Sequence, residues 1–275
     1  MLLSVKRQDR ILTVNNTNLQ TRWLRQQTPP PANAPVIVFL HEGLGCIDLW
    51  GDFPDRIATL TGLDGFLYNR LGHGRSDPLV SAAPDPHHMH EEARTSLPEI
   101  LDRNQIARCI VIGHSDGGSI GLIFAAGNPQ KVQGVITEAA HVFVDHLTLE
   151  GVGNTAAAYA QGVLKSKLAR YHGYNTDILF RRWADTWRSP GFVHWNLEAL
   201  LPRITCPVLA IQGREDEYGL PQQAQAIAIG VSGPGEVWLV PGCRHIPHHQ
   251  ARQPVLERCS RFIGSIVSVQ KTSGQ

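Results

Sequence analysis

The sequence predicts a single α/β domain on a mostly parallel sheet, and three observations lead to this prediction. Six short apolar runs rich in β-branched residues recur along the chain, which is typical of strands covered on both faces. Longer segments with helical spacing lie between these runs. Residues 1–28 instead alternate apolar and polar types, which indicates two antiparallel edge strands. Together these patterns predict an eight-stranded sheet flanked by helices.

The predicted elements follow one another in a regular order. After the edge pair, the proline run at 29–31 breaks the chain before the first buried strand. Strands that alternate with helices imply right-handed crossovers. We place the buried strands at 36–40, 65–68, 109–112, 132–136, 208–211 and 237–240. We place helices at 49–60, 89–101, 120–126 and 255–266.

One segment, residues 141–204, interrupts this alternation. It has no clear strand, it is far too long for an ordinary connection, and it contains nine of the chain's nineteen aromatic residues. We therefore expect a helical lid, inserted between two strands of a core domain that comprises residues 1–140 and 205–275.

The composition narrows the class of partner. The chain has 275 residues, 42% of them hydrophobic and 18% charged, which is ordinary for a soluble globular protein. Its formal net charge of +1 gives no electrostatic reason to expect nucleic acid or an anionic membrane. We expect a small-molecule substrate, no nucleic acid and no membrane; the sequence does not predict an oligomeric state.

The five cysteines, the charged first ten residues and the hydropathy favour a cytoplasmic protein. An odd number of widely spaced cysteines with no C-x-x-C pair indicates free thiols in a reducing compartment. The segment Met1 to Arg10 has no apolar stretch like that of a signal peptide, and no run approaches the roughly 18 apolar residues of a membrane span.

A strand–turn–helix pattern around Ser115 predicts a nucleophile. The run at 109–112 leads directly into Gly113-His114-Ser115-Asp116-Gly117, and a helical pattern follows. In this context G-x-S-x-G forms a sharp turn that holds the serine in a strained conformation and lifts its Oγ above the sheet edge. The two glycines permit a close approach of strand and helix.

With this motif in place, the chain resembles the α/β-hydrolase superfamily over residues 36–266. The resemblance depends on four motifs in the expected order: a histidine–glycine loop, the serine turn, a late acid and a histidine near the end. The chain is similar to the lid-bearing branch that includes small-molecule esterases, lactonases and carbon–carbon bond hydrolases. The resemblance implies the α/β-hydrolase fold and acyl transfer through a Ser-His-Asp triad and an acyl-enzyme intermediate. We expect no cofactor and no metal.

The resemblance also implies the acid of the triad. After the run at 208–211, the residues from Gly213 to Asp216 match the family's G-x-x-D, so Asp216 is expected to orient the base. Glu215 and Glu217 are the competing acids in the same turn.

The expected base is His245. After the run at 237–240, His245 and Pro247 match the family's histidine and the proline two residues on, while Arg244 replaces the usual glycine. His245 is expected to take the Ser115 proton and deliver it to the leaving group.

The histidine–glycine loop implies the oxyanion hole. The sequence His41-Glu42-Gly43-Leu44-Gly45 follows the first buried strand, so the backbone N–H groups of Gly43 and Asp116 are the expected donors. Glu42 stands where the family usually has glycine. A carboxylate in the hole would oppose the developing negative charge, so we expect Glu42 to face away, paired with a base or a polar substrate group. The residues expected to contact the substrate are Glu42, Leu44, His114, His141 and Trp187.

Three further sequence features have alternative functional interpretations. Basic residues exceed acidic ones between 160 and 188, which suggests a carboxylate-binding lid or, more simply, a solvated basic face. The loop 69–78 matches a family loop to which we assign a structural role. The histidines of 87–90 and 245–249 suggest metal ligands, but neither group shows H-E-x-x-H.

Several sequence features bear on function classes other than the serine hydrolase. No G-x-G-x-x-G follows an early strand, which argues against a dinucleotide-binding oxidoreductase. The α/β-hydrolase fold also supports ligand receptors, cofactor-free oxygenases and perhydrolases. A serine nucleophile argues against epoxide hydrolases and haloalkane dehalogenases, which use a carboxylate. Ester, lactone, thioester and carbon–carbon substrates stay open.

Overall fold

Eight strands form one sheet in the computed structural model, which describes residues 5–272. Residues 1–4 of the segment considered as a signal peptide lie outside the described residues. The order across the sheet is β1-β2-β4-β3-β5-β6-β7-β8. The strands are β1 (Lys6–Val14), β2 (Thr17–Arg25), β3 (Val36–Leu40), β4 (Gly65–Tyr68), β5 (Cys109–His114), β6 (Val132–Glu138), β7 (Val208–Gly213) and β8 (Gly235–Val240).

The pairing confirms the predicted mixture of strand directions. Strand β1 pairs antiparallel with β2, and β2 pairs antiparallel with β4. Every other neighbouring pair is parallel. Asn15 and Asn16 have φ angles of 49° and 60°. Asparagine tolerates this left-handed region, so a two-residue turn closes the edge hairpin.

Ten α-helices flank the sheet or fill the connections within the described residues. They are α1 (Phe53–Thr61), α2 (His88–Glu91), α3 (Leu97–Arg103), α4 (Asp116–Gly127), α5 (His146–Ala160), α6 (Val163–His172), α7 (Thr176–Trp187), α8 (Gln222–Gly230), α9 (Pro247–Gln250) and α10 (Arg252–Thr272). A π-helical turn, Glu92–Ser96, joins α2 to α3.

The alternation of side chains along the buried strands divides the core between two faces. Ile37 and Phe39 of β3 lie in one cluster with residues of α1 and α10. Val38 and Leu40 lie in a second cluster with residues of α3 and α4. The second cluster continues into α7 through Trp187. Helix α4 and Trp187 of α7 therefore belong to the same core cluster on this face of the sheet.

The segment between β6 and β7 contains α5, α6 and α7. An isolated antiparallel bridge joins Phe143 to Asn196 and brings the two ends of the insertion together. The Asp145 carboxylate caps α5 by accepting from Thr148 N at 3.0 Å, and it also accepts from Leu220 N at 3.0 Å. The start of the insertion is thus fastened to the loop that follows β7.

Three further features of the described residues concern the cysteines, membrane spans and metal sites. All five cysteines are free thiols, four of them buried. In residues 5–272, no helix combines the length and apolar character needed to cross a membrane. In the same residues, no group of three or more histidine, cysteine, aspartate or glutamate side chains has an arrangement that could hold a metal ion.

Candidate active site

The predicted site residues lie at the carboxyl ends of four parallel strands of the sheet. Gly43 follows β3, Ser115 follows β5, Asp216 follows β7 and His245 follows β8. Because parallel strands end at the same edge of a sheet, the topology brings these loops together. This edge is the usual position of a site in an open α/β sheet.

The turn at Ser115 is strained and closely packed. Ser115 has φ 52° and ψ −120°, a conformation that costs a non-glycine residue about 1–3 kcal/mol. Its backbone N–H donates to Glu138 O at 2.8 Å, which holds the turn against β6. A Cβ on Gly113 would overlap the Gly117 backbone, and one on Gly117 would overlap Leu40 O. Both glycines of the motif are therefore required by the close contact of strand and helix.

Ser115, His245 and Asp216 form a hydrogen-bonded chain. His245 Nε2 lies 3.1 Å from Ser115 Oγ, and His245 Nδ1 lies 2.8 Å from Asp216 Oδ1. An Nδ1–H that donates to the carboxylate leaves Nε2 as the acceptor for the serine proton. Ser115 is only 8% exposed and Asp216 only 5%. The geometry is that of a nucleophile, a base and an orienting acid.

The Asp216 carboxylate is held in its ionised form. Burial would raise its pKa, but the positive charge and hydrogen bond of His245 and the Tyr218 backbone N–H, 2.9 Å away, lower the pKa below its usual value. Gln212 Nε2 also donates to this carboxylate at 3.1 Å. An ionised acid in this position can stabilise a protonated imidazole.

The two competing acids of this turn have other contacts. Glu215 is exposed. Glu217 accepts from the His245 backbone N–H at 3.2 Å and pairs with Arg244 at 3.2 Å. Only Asp216, of the three acids, contacts the imidazole in the structure.

The expected oxyanion donors lie on either side of the serine. Within the described residues, neither the Gly43 nor the Asp116 backbone N–H donates to a protein acceptor. His73 Nε2 lies 2.9 Å from Gly43 O. The Arg70 guanidinium donates to His41 O at 2.6 Å and to Glu42 O at 2.8 Å. These contacts fix the peptide planes of the loop, in agreement with the structural role expected for residues 69–78.

Glu42 pairs with a buried histidine. Its Oε2 lies 3.4 Å from His114 Nδ1. Burial opposes ionisation of the carboxyl, yet the hydrogen bond and positive charge of His114 lower the pKa of Glu42 to about 2. His114 Nε2 lies 2.8 Å from His245 O. The base expected to accompany Glu42 is therefore His114.

A second carboxylate lies beside the expected oxyanion hole. Asp116 Oδ2 is 3.5 Å from His88 Nε2, and the Asp116 side chain is almost completely buried. Burial would raise the pKa of Asp116, but the hydrogen bond and charge of His88, together with Arg70, lower it. The sequence did not predict this contact, because His88 lies in a histidine-rich segment with no recognisable motif.

A cavity of about 540 Å³ opens over Ser115 and His245. All five residues expected to contact the substrate line it: Glu42, Leu44, His114, His141 and Trp187. The inserted helices supply much of its apolar wall through Val152, Ala158, Leu164, Leu168 and Trp183. The cavity can hold a small molecule with an apolar portion next to the serine.

Trp183 is a site residue that no sequence motif indicated. A Cβ on Gly43 would overlap its indole Nε1, so the ring edge lies against the expected oxyanion loop. Trp183 also lines a smaller cavity of about 180 Å³ on the other side of Gly43 and Asp116. Its position four residues before Trp187 on α7 was the available signal, because residues i and i+4 share a helix face.

The basic residues of the insertion do not surround the serine. The only one of them in the wall of either cavity is Arg182, which lines the smaller cavity and pairs with Asp85. Lys165 pairs with Asp177 at 2.8 Å. The remaining members are exposed: Lys167, Arg170, Arg181 and Arg188. They form a solvated basic face, the simpler of the two interpretations of this charge excess.

Comparisons with known proteins agree with this architecture. The α/β hydrolase fold family matches residues 35–174. A relative from Pseudomonas savastanoi pv. phaseolicola, with the provisional name carbamate hydrolase RutD, is 30% identical over 72% of this chain and 82% of its own length. A 2-hydroxy-6-oxononadienedioate/2-hydroxy-6-oxononatrienedioate hydrolase from Cupriavidus pinatubonensis is 34% identical over 37% of this chain and 34% of its own.

A solved structure extends the comparison over nearly the whole fold. The α/β hydrolase MGS-M2, from a Medee basin deep-sea metagenome library, superposes with a TM-score of 0.73 at 17% identity and covers 93% of this chain and 97% of its own. At that identity the likeness concerns the fold alone. The sheet order, the family match and the hydrolase relatives agree, and the chain belongs to the α/β-hydrolase family and is a hydrolase.

Proposed function

We propose that the protein is a serine hydrolase that cleaves small-molecule carboxylic esters through an acyl-enzyme intermediate. The observation that carries the proposal is the chain from Ser115 Oγ through His245 to Asp216, with contacts of 3.1 and 2.8 Å. A serine hydroxyl becomes an effective nucleophile when an adjacent base accepts its proton and an acid orients that base.

In the first step, Ser115 Oγ forms a bond to the substrate carbonyl carbon while its proton passes to His245 Nε2. The negative charge that develops on the carbonyl oxygen is stabilised by the free N–H groups of Gly43 and Asp116. Asp216 stabilises the imidazolium. Collapse of the tetrahedral intermediate breaks the bond to the leaving alcohol, which takes the proton from His245.

In the second step, water replaces the alcohol. His245 Nε2 accepts a proton from the water as its oxygen bonds to the acyl carbon, and the same two N–H groups hold the oxyanion. Collapse of this second tetrahedral intermediate breaks the bond between the acyl carbon and Ser115 Oγ, and the proton on His245 returns to Ser115 as the acid leaves. No external oxidant or cofactor enters this sequence of steps.

The wall of the larger cavity supports an apolar portion in the substrate. Val152, Leu164 and Leu168 face it from the insertion, which we propose acts as the lid over residues of the core domain. We also propose action in the cytoplasm, because the free cysteines suit a reducing compartment.

The names of two relatives are a reason to test several substrate classes besides esters. One has a carbamate hydrolase name and the other is named a hydrolase of 2-hydroxy-6-oxononadienedioate. Both reactions can begin with a nucleophile at a carbonyl carbon. Turnover should therefore be measured with matched esters, a lactone, a thioester, a carbamate and a 2-hydroxy-6-oxodienoate.

The decisive experiment combines covalent labelling with turnover. A fluorophosphonate probe should label Ser115, as located by peptide mass spectrometry, and p-nitrophenyl esters should be hydrolysed. Ser115→Ala should lose labelling and lower kcat by about 10⁴-fold or more. Ser166→Ala, which alters an exposed serine on α6, is the matched control and should keep both activities. Tight ligand binding without labelling or turnover would instead indicate a receptor.

A further inference from the structure

His114 lies between two hydrogen-bond acceptors, one on each side of its ring. Its Nδ1 faces the Glu42 carboxylate at 3.4 Å, and its Nε2 faces His245 O at 2.8 Å. The side chain is 1% exposed, so water cannot replace either partner without a change in packing. His114 thus connects the loop after β3 to the loop after β8.

The chemistry of the two partners requires a proton on both ring nitrogens. A backbone carbonyl only accepts, and an ionised carboxylate only accepts. A neutral imidazole has a single N–H and would leave one of the two contacts as a repulsion between lone pairs. Beside an ionised Glu42, the imidazolium is the only form of the ring that satisfies both contacts.

The charged groups around His114 favour that form. Burial would lower the pKa of His114, but the hydrogen bond and charge of Glu42, with the further negative charge of Glu138, raise it. Glu138 lies at the end of β6 and accepts from His248 Nδ1 at 2.8 Å. The His248 and His245 rings lie 5.0 and 5.2 Å from the His114 ring.

We propose that His114 is a positioning residue: an imidazolium at neutral pH that neutralises Glu42 beside the oxyanion hole and anchors the backbone of His245. The proposal rests on the proposed function for its kinetic consequence, though not for the charge state of the ring. Glu42 directly precedes the donor Gly43, and an unpaired carboxylate there would oppose the developing oxyanion. The imidazolium removes that opposition.

The second part of the role is mechanical. The His245 backbone is held through its N–H by Glu217 at 3.2 Å and through its carbonyl by His114 at 2.8 Å. A base must stay within hydrogen-bond reach of the proton that it removes. His114 therefore influences the reaction through its contacts with Glu42 and His245.

A double-mutant cycle separates charge compensation from packing. His114→Gln keeps a side chain that can donate to His245 O but leaves Glu42 unpaired, so kcat for a p-nitrophenyl ester should fall about 10-fold with KM within about twofold. Adding Glu42→Gln should restore most of the loss, because the opposing charge is gone. If the effects of His114→Gln and Glu42→Gln on kcat are simply additive, the proposal is wrong.

Glu217→Gln in the His114→Gln background is the matched control. Glu217 also lines the cavity and contacts the His245 loop, but it pairs with Arg244 instead of a buried histidine. This change should give no restoration. Equal rescue by both glutamine substitutions would overturn the specific role of the Glu42–His114 pair.

Nitrogen-15 NMR of histidine-labelled protein tests the charge state without catalysis. The His114 resonances, assigned by their loss in His114→Gln, should show both ring nitrogens protonated near pH 7.5, and Glu42→Gln should convert the ring to a neutral form. If His114→Gln does not fold, Glu42→Gln identifies the resonances by their shift. A neutral ring in the unaltered protein would refute the inference, whereas an imidazolium without ester turnover would refute only the proposed function.

Discussion

The indole edge of Trp183 lies directly against Gly43, so the inserted helix α7 touches the loop that supplies one expected oxyanion donor. Asp116 Oδ2 lies 2.8 Å from the position that a Cβ on Gly43 would occupy. The space above this glycine is therefore filled from the insertion and from the residue after the nucleophile. The loop after β3 depends on glycine here for close contact.

Gly43→Ala should reduce kcat by about 100-fold, because the added methyl group must displace Trp183, Asp116 or the backbone N–H that faces the oxyanion. Steady-state kinetics with a p-nitrophenyl ester measure the effect. The control is Gly153→Ala on α5, where a Cβ meets nothing within 4 Å. That change should leave kcat unaltered and raise stability by about 0.5–1 kcal/mol, since alanine favours a helix interior. Normal turnover in Gly43→Ala would show that the loop does not act at this position.

Asp216→Asn should lower kcat by about 10⁴-fold while the protein stays folded. The amide can donate to His245 Nδ1, which would place the imidazole proton on Nε2 and remove the acceptor for Ser115. Glu215→Gln is the matched control, because Glu215 lies next in the same turn but is exposed. Rates of both variants, with circular dichroism to verify folding, decide the matter. A larger fall in kcat for Glu215→Gln than for Asp216→Asn would mean that Glu215 is the acid of the triad.

The fold was predictable because its elements leave strong local patterns. The alternation of apolar and polar residues predicted the edge hairpin. Continuous apolar runs, such as the one that contains Val38, predicted strands buried on both faces. The predicted strands ended too early, however. β5 and β6 continue to His114 and Glu138, because the hydrogen-bond ladder extends past the last apolar residue into the polar residues of the site.

The site was predictable only where spacing in the sequence encodes it. Ser115 and Asp216 stand in short motifs, and the structure brings both to His245. The contact of His88 with Asp116 and that of Trp183 with Gly43 join segments far apart in the chain. Such contacts depend on how the insertion and α2 pack, which no local pattern specifies.

Val152→Phe should shift substrate preference toward short acyl chains. Val152 is buried on α5 and lines the cavity over Ser115, so the larger ring would occupy part of the 540 Å³ space. We expect KM for p-nitrophenyl octanoate to rise about 10-fold, with little change for the acetate. Val163→Phe on α6 is the control, because Val163 is 66% exposed. Parallel changes for both esters would place the acyl chain elsewhere.

The Glu42–His114 pair should give the stability of the protein a defined dependence on pH. The pKa of Glu42 falls from 4.5 to about 2 on folding, so its contribution is complete above pH 4.5 and is lost as the pH falls through about 2. The pKa of His114 is raised, so its contribution is complete below its unfolded value of about 6.5 and is lost as the pH rises through the folded value. Between these limits both charges stabilise the folded state.

Urea unfolding of the unaltered protein and of Glu42→Gln, from pH 2 to pH 9, tests this prediction. The difference in unfolding free energy between them should be largest near pH 5–6, and it should shrink toward pH 2, where the carboxylate becomes protonated in the folded state as well. It should also shrink at alkaline pH, where His114 loses its proton. Glu150→Gln, at an exposed position on α5, should give a smaller difference without a maximum in this range. A difference for Glu42→Gln that stays constant across the whole range would mean that Glu42 is not paired with a titrating histidine.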